Sequence, residues 1–386
     1  MERLESLFKR ALLSWVKKHP SLFGLLRLLK RAATGARSQD LRIWRAQYRA
    51  AADTVHVGRK RLIVFLVPGF DIVNGGILSI ASLCAESRGI DANRDADVYM
   101  VTMPGDPPLL RYTQFANHEV LLDLTDLIRR YHTLDYLMIH IPELYVAQFV
   151  GSAGWRFRAR LRRVHNVRLN VMLQNIDLAP EPKYLRILAT LGEVTITTAH
   201  EQYTSQEMRE KLGYPLHHLS TFVSPEQYVR RSGADKENLL VISPDASDQR
   251  GRILGLLHER FPQIELVTVQ GMKWEDYKSL LQRARWSLTF GEGLDGYFVE
   301  TVFSGGIAFA VYNSRFFTSD FQSLRTIYQN WDELATRISH DIDDLSVSSR
   351  YDAYQKVEYA LCAKHYDHSV YVDNLRKFYA GEYSYQ

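Results

Sequence analysis

The chain has 386 residues, too many for one ordinary core, so its length predicts two globular units with appended segments. A hydrophobic content of 46% and a charged content of 24% are typical of a compact globular protein and exclude a largely disordered chain. No apolar run approaches the roughly 20 residues of a membrane span. Arg27 and Lys30 interrupt the apolar stretches near the start, so no signal peptide is expected.

The net charge of +4 hides an asymmetry along the chain. The first 50 residues hold twelve Lys or Arg against three Asp or Glu, a net of +9, so the rest of the chain sums to −5. The basic excess is therefore confined to the amino end. The two cysteines, Cys84 and Cys362, lie far apart in apolar contexts without metal-ligand spacing, which predicts buried small hydrophobes.

The amino-terminal segment, residues 1–58, is predicted to be a basic amphipathic helical extension. Apolar residues recur there at helical spacing, among them Leu4, Leu7, Phe8, Leu12 and Trp15. Two alternatives stay open: residues 1–50 lie on an anionic membrane surface, or they pack on the main body as a hairpin with a solvated basic face. No nucleic-acid partner is expected, because no groove-reading motif follows.

Residues 59–228 are predicted to form a Rossmann-like domain. The run RLIVFLVPG, Arg61–Gly69, is typical of a parallel strand buried on both faces. Strand patterns follow at Asp97–Thr102, Tyr136–Ile141, Leu169–Leu173 and Val194–Thr198, and they alternate with helix patterns at Leu121–Tyr131, Tyr145–Arg163, Pro182–Leu191 and Thr204–Leu212. This alternation predicts a doubly wound α/β unit.

The alternation restarts in residues 229–350, which predicts a second Rossmann-like domain. Its strand patterns are Asn238–Ile242, Ile264–Val269, Trp286–Phe290 and Ile307–Val311, with helix patterns at Gly251–Arg260, Trp274–Ala284 and about Tyr297–Phe303. Two further helices are expected in residues 351–386, after that sheet is complete.

The segment Trp286–Asn313 carries the chemical signal. A strand ends at Phe290, a glycine-rich turn follows, and a helix opens near Tyr297. Backbone N–H groups at such a helix start form an anion site suited to phosphate. Gly291, Gly293 and Gly296 also match the dinucleotide pattern G-x-G-x-x-G, but that pattern belongs after the first strand of its fold, so binding of NAD is disfavoured.

Two carboxylates flank this helix start at an E-x7-E spacing, with Glu292 in the turn and Glu300 in the first turns of the helix. Both can face the crevice outside the strand ends, where a carboxylate accepts hydrogen bonds from the hydroxyls of a sugar or ribose. The alternative is a pair of acids that only compensate the helix dipole. The whole strand–turn–helix setting favours a nucleotide-sugar pocket.

The segment EGLDGYFVETVFSGGIAFA resembles the EGFGLPVLEALASGVPVV of the retaining GT-B glycosyltransferases of the family-4-like group. The matching positions are Glu292, Gly293, Glu300, Ser304 and Gly305. The resemblance implies an α/β fold of two Rossmann-like domains facing a central cleft. It also implies that Glu300 binds the ribose, that Glu292 binds the transferred sugar, and that amides at Leu294, Asp295 and Gly296 meet the diphosphate.

The sequence departs from that pattern in two places, which bear on which sugar is bound. Asp295-Gly296-Tyr297 replaces the usual Leu-Pro stretch, and Ala308 stands where Pro is common.

Thinner resemblances extend over about Lys60 to Tyr379. The loop Asp71–Leu78 resembles the family's glycine loop, so Gly75 and Gly76 are expected near the donor phosphate. His140, in DYLMIHIPE, occupies the place of a histidine near the transferred sugar, and an ordinary core histidine remains the alternative. Arg250 is the preferred diphosphate ligand and Arg252 the second choice, whereas Gly271 and Met272 fall where relatives line the base pocket. The carboxyl-terminal helices are expected to cross back to the first domain.

The resemblance implies a hexosyltransferase that retains anomeric configuration, uses a nucleotide-sugar donor and acts on a glycan or lipid-linked acceptor. It further implies bacterial surface polysaccharide synthesis, in the cytoplasm at the inner face of the membrane. The alternatives are a non-catalytic nucleotide- or glycan-binding protein and a GT-B-type nucleotide-sugar epimerase.

No cofactor and no catalytic metal are expected. Asp341-Ile342-Asp343 spells the D-x-D of metal-dependent transferases, but it lies in a polar stretch that predicts a solvated acidic loop. The pairs His217–His218 and His365–His368 supply too few ligands for a zinc site.

Overall fold

The structure is a computed structural model, and its chain divides into two compact units. It describes residues 53, 55, 57–68, 75–103, 121–220, 228–272, 274–294 and 296–386. The first unit holds the described residues up to Ala199 together with Tyr203–Leu219 and Leu375–Gln386. The second unit holds His200–Gln202 and the described residues of Ser220–Asn374. The predicted helices of the amino-terminal 58 residues lie almost wholly outside the described residues.

The first unit is built on a seven-stranded parallel sheet in the order β3-β2-β1-β4-β5-β6-β7. Its strands are β1 (Arg61–Leu66), β2 (Ala96–Thr102), β3 (Leu121–Asp123), β4 (Tyr136–Pro142), β5 (Asn166–Leu173), β6 (Glu193–Thr198) and β7 (Leu216–His218). The central strand β1 is fully buried from Leu62 to Leu66, as its continuous apolar run predicts for a strand covered on both faces.

The helices of the first unit are α1 (Gly75–Gly89), α2 (Leu124–Arg130), α3 (Val146–Ser152), α4 (Trp155–Leu161), α5 (Pro182–Ala189) and α6 (Gln206–Leu212). The single helix expected over Tyr145–Arg163 was wrong. The chain turns at Ala153 and Gly154, and the extended backbone of Gly154 separates α3 from α4. The short strands β3 and β7 were not expected, because three residues carry too little pattern.

The second unit is built on a five-stranded parallel sheet in the order β12-β11-β10-β8-β9. Its strands are β8 (Glu237–Ile242), β9 (Glu265–Thr268), β10 (Ala284–Leu288), β11 (Ile307–Val311) and β12 (Ile327–Tyr328). Its helices are α7 (Arg250–Arg260), α8 (Trp274–Arg283), α9 (Gly296–Phe303), α10 (Trp331–Leu345) and α11 (Ser348–Tyr366). The last helix, α12 (His368–Ala380), begins in the second unit and belongs to the first unit from Leu375 onward.

Both faces of the second sheet are covered, because alternate side chains along its strands belong to two different apolar clusters. Leu240 and Ile242 of β8 belong to one apolar cluster, whereas Leu239 and Val241 belong to another. Successive side chains of a strand point to opposite faces, so the two clusters are the two faces of the sheet. Helices α7 and α10 pack in the first cluster, and α8, α9 and α11 pack in the second.

Several smaller expectations have a clear outcome. Both cysteines are buried, as predicted. His217 and His218 are adjacent on strand β7, with His217 buried and His218 partly exposed. Strand β12 and helix α10 were not expected. Among the described residues, no helix has the length and apolar character that crossing a membrane requires.

Candidate functional site

The order of the second sheet fixes where a ligand crevice forms. Strand β8 has β9 on one side and β10 on the other, so successive strands are added to opposite sides of β8. The strand order therefore reverses between β8 and β10. Ligands of open parallel sheets bind outside the carboxyl ends of the strands at such a switch point. The segments at this edge are the turn after β8, which contains Ser243 and Asp245, and the glycine-rich turn after β10.

The glycine-rich turn is held against the end of β8. The Phe290 amide donates to Ser243 Oγ at 2.9 Å, and Thr289 Oγ1 donates to the Gly293 carbonyl at 2.7 Å. Gly291 has a φ of +74°, and a Cβ on it would lie 3.0 Å from the side chain of Asp245. A positive φ together with this close approach explains why the turn requires glycine here.

Gly293 closes the turn against the loop that follows β11. Its φ is +84°, and a Cβ would lie 2.7 Å from the Phe317 ring and 2.9 Å from the Val311 carbonyl. A cavity of about 280 Å³ opens beside this turn. It is lined by Thr289, Gly291, Gly293, Val311, Tyr312, Asn313, Ser314 and Trp331. The cavity therefore adjoins the turn that carries Glu292.

The predicted donor-binding stretch lies at the entry to α9. Glu292 is partly exposed in the turn, Leu294 is buried, and Gly296 is the first residue of the helix. Asp295 lies outside the described residues. The helix starts within this stretch, as the sequence predicts, so its first amide groups lie at the switch-point edge of the sheet.

Glu300 lies one turn into α9 and is nearly buried, with 9% of its surface exposed. The Tyr277 hydroxyl donates to Glu300 Oε2 at 2.5 Å, and the Tyr228 hydroxyl also hydrogen-bonds to this carboxylate. A Cβ on Gly296 would lie 3.3 Å from Glu300 Oε1, so the carboxylate lies directly beside the start of the helix. Because a carboxylate has about four acceptor sites, two tyrosine hydroxyls leave it able to accept further hydroxyl groups.

This environment changes the titration of the group. Burial raises the pKa of Glu300 from 4.5 to about 7, and the hydrogen bonds from Tyr277 and Tyr228 counteract part of that rise by favouring the carboxylate. Burial beside the carboxylate likewise raises the pKa of both tyrosine hydroxyls well above the ordinary value, so both remain donors.

The two candidate diphosphate ligands lie in different surroundings. Arg250, at the start of α7, donates to the Ser243 carbonyl at 2.6 Å and to Thr268 Oγ1 at 2.9 Å, with its guanidinium 5.1 Å from the centre of the Phe290 ring. A third bond reaches the Asp245 carbonyl, so two of its five donors remain. Arg250 therefore joins the ends of β8, β9 and β10. Arg252 points elsewhere and pairs with Asp332 on the surface.

Gly271 and Met272 follow β9 at the same edge. Gly271 has a φ of +64° with open space around it, and Met272 packs partly buried against the apolar cluster of α8 and α9. Trp274 lies 5.7 Å from Tyr277, ring centre to ring centre. Met272 and Trp274 both pack against the cluster that contains Tyr277, the partner of Glu300, and we call these two side chains the apolar rim.

Sequence reasoning missed three polar residues of this edge. Tyr228 and Tyr277 contact Glu300, and Asp245 presents against Gly291 a buried Oδ2 atom that has no hydrogen-bond partner among the described residues. Asp245 stands in the turn directly after a buried strand, a position that could have drawn attention to it. Neither tyrosine carries a local signal, because only the packing of α8 on α9 brings Tyr277 to the carboxylate.

In the first unit, His140 is fully buried on β4. Its ring stacks on Phe65 at 4.1 Å, Asn170 Nδ2 lies 3.0 Å from Nδ1, and the Tyr379 hydroxyl lies 3.3 Å from Nε2. Burial lowers the pKa of His140 to about 3, which keeps the ring neutral. Both ring nitrogens already have partners within the protein, as the core-histidine alternative expects, and we leave His140 out of the proposed site.

Gly75 and Gly76 begin α1, and the preceding part of the expected glycine loop, residues 71–74, lies outside the described residues. The Gly76 carbonyl accepts a hydrogen bond from Gln174 Nε2 at 3.0 Å. At the same edge, the buried carboxylate of Glu143 accepts from the amides of Gln174 and Asn175, and burial raises its pKa. These residues mark the switch point of the first sheet, between β1 and β4.

Solved structures of similar fold exist. HepE of Anabaena, solved with UDP and glucose, has a TM-score of 0.52 at 12% identity, covering 83% of this chain and 99% of that chain. The trehalose-6-phosphate synthase OtsA has a TM-score of 0.52 at 11% identity, covering 83% and 98%. The lipopolysaccharide outer core galactosyltransferase WaaB has a TM-score of 0.51 at 8% identity, covering 83% and 99%. The fold is GT-B.

These neighbours of the GT-B fold are glycosyltransferases, and identities this low establish the fold alone. No family model matches the chain, and no curated protein matches its sequence.

The D-x-D stretch is not the solvated loop that was expected. Asp341 lies on α10 and is buried, where it accepts from Arg325 and from the Tyr328 hydroxyl at 2.9 Å. Asp343 lies on the exposed face of the same helix and pairs with Arg260 at 2.9 Å. The expectation was wrong because Leu334, Ile338 and Ile342 recur at helical spacing and bury one face of α10, which makes the stretch an amphipathic helix. Two aspartates two apart on a helix point to different sides, so they cannot share an ion.

Proposed function

We propose that the protein is a retaining glycosyltransferase that moves a sugar from a nucleotide-sugar donor to a glycan or lipid-linked acceptor in bacterial surface polysaccharide synthesis. One observation carries the proposal. The glycine turn and the start of α9 lie at the switch-point edge of the second sheet, with Glu292 in the turn and Glu300 beside the helix start. HepE, of the same fold, was solved with UDP and glucose, which supports a nucleotide-sugar as the donor.

In this proposal the nucleoside binds next to Glu300. Ribose hydroxyls donate to the acceptor sites that Tyr228 and Tyr277 leave on the carboxylate. The base packs on the apolar rim of Met272 and Trp274. Hydrogen bonds from the ribose hydroxyls stabilise the ionised carboxylate, so the nucleotide-sugar binds to the deprotonated form of Glu300.

The diphosphate is proposed to bind at the start of α9 and near Arg250. The first amide groups of a helix and its dipole attract anions, and Arg250 keeps two donors and its charge at the same edge. Groups fixed in this way stabilise the charge that develops on the departing nucleoside diphosphate. We propose that these groups serve in place of a divalent ion, so transfer should continue in excess chelator.

The transferred sugar is proposed to occupy the cavity beside Gly291 and Gly293. Its volume of about 280 Å³ is close to the lower end of the roughly 300–1,000 Å³ of small-ligand pockets, which suits one sugar ring. Glu292 follows Gly291 in the turn and would accept hydroxyl groups of that ring. Trp331 and Tyr312 offer aromatic surface at its walls.

We place this activity at the cytoplasmic face of the cell membrane, where lipid-linked acceptors are built. The basic composition of residues 1–50 supports that setting. Deletion of residues 1–50 with full retention of membrane association would remove that support.

The first test is a thermal-shift screen of nucleotide-sugars, because a bound donor raises apparent stability according to its concentration and affinity. The donor found is then assayed for nucleoside diphosphate release with and without candidate acceptors. Glu292→Gln and Glu300→Gln are expected to lower transfer by at least tenfold. Unchanged transfer in both variants would sink the proposal, and the exposed Glu275, on neighbouring α8, serves as a matched Glu→Gln control.

Binding without turnover would instead support a non-catalytic binding protein, and nucleotide release without any acceptor would support an epimerase. The anomeric configuration of the isolated product, measured by NMR coupling constants, tests retention.

The arginines give a second matched pair. Arg250→Ala is expected to lower kcat/KM by roughly a hundredfold, the scale for removing one fixed donor from a developing anion. Arg252 lies two residues further along and forms a surface ion pair, so Arg252→Ala removes an equal charge. That variant is expected to change kcat/KM less than threefold. Equal effects of the two variants would contradict a diphosphate contact by Arg250.

A further inference from the structure

A cationic segment of the first unit has no part in the proposed donor site. Between Glu143 and Asp177 the chain contains no Asp or Glu and six arginines. These are Arg156, Arg158, Arg160, Arg162, Arg163 and Arg168. Although the chain after residue 50 sums to −5, this segment is locally basic, and five of the six arginines lie on α4 or in the two residues that follow it.

Helix α4 divides this segment into two faces. Phe157 and Leu161, four residues apart, are buried and hold the helix on the body. At 3.6 residues per turn, the opposite side carries Trp155, Arg156, Arg160, Arg162 and Arg163, which we call the basic face of α4. All of its members are exposed except Arg160, which is partly exposed.

The remaining two arginines are used by the fold. Arg158 donates to the carbonyls of Ala153 and Val150, and Arg168 pairs with Glu193 at 3.1 Å. The arginines of the basic face have no carboxylate partner among the described residues. Their positive charge is therefore not neutralised by described neighbours, and counter-charge is available only from outside this part of the chain.

Trp155 distinguishes the basic face from an ordinary solvated surface. Its side chain is 75% exposed, and its only described ring contact is the Arg156 guanidinium, 5.2 Å from the ring centre. A tryptophan left in water has no stabilising role within the fold, whereas its amphipathic ring is favoured at the headgroup level of membranes. Clustered arginines are attracted by the negative potential of anionic lipids.

We propose that the basic face of α4 docks the protein on an anionic membrane surface, with Trp155 inserted at the headgroup level and the arginines on lipid phosphates. A single-stranded nucleic acid is a poorer match, because its bases stack on several aromatic side chains along a groove, and α4 offers one on a convex face. This contact is separate from residues 1–50 and does not depend on glycosyl transfer.

The test is sedimentation of the full chain with phosphatidylcholine vesicles that contain 30% phosphatidylglycerol or none. Arg162→Ala with Arg163→Ala is expected to weaken binding to the anionic vesicles roughly 25-fold, at about fivefold for each arginine near the leaflet. The matched control is Arg186→Ala with Lys211→Ala, which removes the same charge from exposed positions on α5 and α6. The control is expected to stay within about threefold of the wild type, because those charges lie off the docking face.

A second readout follows Trp155 itself. Brominated lipids should quench part of the tryptophan fluorescence of the wild-type chain, and that part should disappear in Trp155→Phe. The proposal is overturned by equal binding of the two double variants, by quenching that Trp155→Phe leaves unchanged, or by a chain that binds nucleic acid but not anionic vesicles. Those results would mean that the membrane is met elsewhere on the chain or not at all.

Discussion

The buried carboxylate of Glu300 gives the sharpest physical prediction, through the substitution Glu300→Gln. The change keeps the shape of the side chain and an acceptor oxygen for Tyr277, and it removes the titration. Wild type and variant should therefore differ in how the free energy of unfolding depends on pH.

The size of the effect follows from the pKa. A value of about 7 in the folded protein against 4.5 for an ordinary glutamic acid amounts to about 3 kcal/mol between the two protonation states. Between these two values the folded protein holds the proton more tightly than the unfolded chain does. The stabilisation linked to this proton is therefore complete below pH 4.5 and is lost as the pH rises through 7. About 2 kcal/mol of that loss falls between pH 5.5 and 8.5.

The measurement is urea unfolding at pH 5.5, 7.0 and 8.5, followed by hydrogen exchange in peptides of the second unit. Other titrating groups act equally on both proteins, so they cancel in the difference between wild type and variant. The free energy of unfolding of Glu300→Gln is expected to rise by about 2 kcal/mol relative to that of the wild type as the pH increases across this range. Glu275→Gln, an exposed carboxylate on α8, is expected to keep a constant difference.

Parallel pH dependence of the wild type and Glu300→Gln would refute the reasoning. It would mean that the pKa of Glu300 in the folded protein is close to the ordinary value, and hence that burial does not raise the pKa beyond what the tyrosine hydrogen bonds offset. A gain that runs in the opposite direction would mean that the carboxylate is stabilised by positive charge.

Three further predictions follow from particular contacts. The affinity for the nucleotide-sugar donor, measured by titration calorimetry, should rise as the pH increases through about 7, because the proposed ribose contact requires the ionised form of Glu300. An affinity independent of pH would contradict that contact. Gly305→Ala should lower the unfolding free energy by several kcal/mol, since its φ is +88° and the new Cβ would lie 2.1 Å from the Arg231 carbonyl oxygen. The same change at Gly251, in open space on a helix, should raise it by up to about 1 kcal/mol. Burial lowers the pKa of Lys236 to about 7, so the stability linked to its neutral form is present above pH 10.5 and lost as the pH falls through 7. The unfolding free energy of the wild type, measured in urea, should therefore rise relative to that of Lys236→Met between pH 7 and pH 10.

The elements of this protein were largely predictable because their patterns are local. The run Leu62–Leu66 indicates a strand covered on both faces, and the turn from Gly291 to Gly296 indicates a strand that passes into a helix. Strand order could be anticipated only as a class, the doubly wound sheet. Elements shorter than a full period, such as β3 and β12, escaped because two or three residues carry no periodicity.

The site was less predictable than the elements, because its residues come from separate turns that the strand order brings to one edge of the sheet. Sequence determined that Glu292 lies in a glycine turn and that Glu292 and Glu300 flank the helix start. Only tertiary structure decided that Tyr277 and Tyr228 hydrogen-bond Glu300, and that Asp245 lies against Gly291.

Tertiary structure also decided the surroundings of single residues whose type left two alternatives open. The β4 histidine, His140, is enclosed by Phe65 and by the last turns of α12, and Asp341 is buried against Arg325. Neither partner is near in sequence. Burial depends on which distant segments cover a residue, whereas local sequence fixes only which face of its own element the residue occupies.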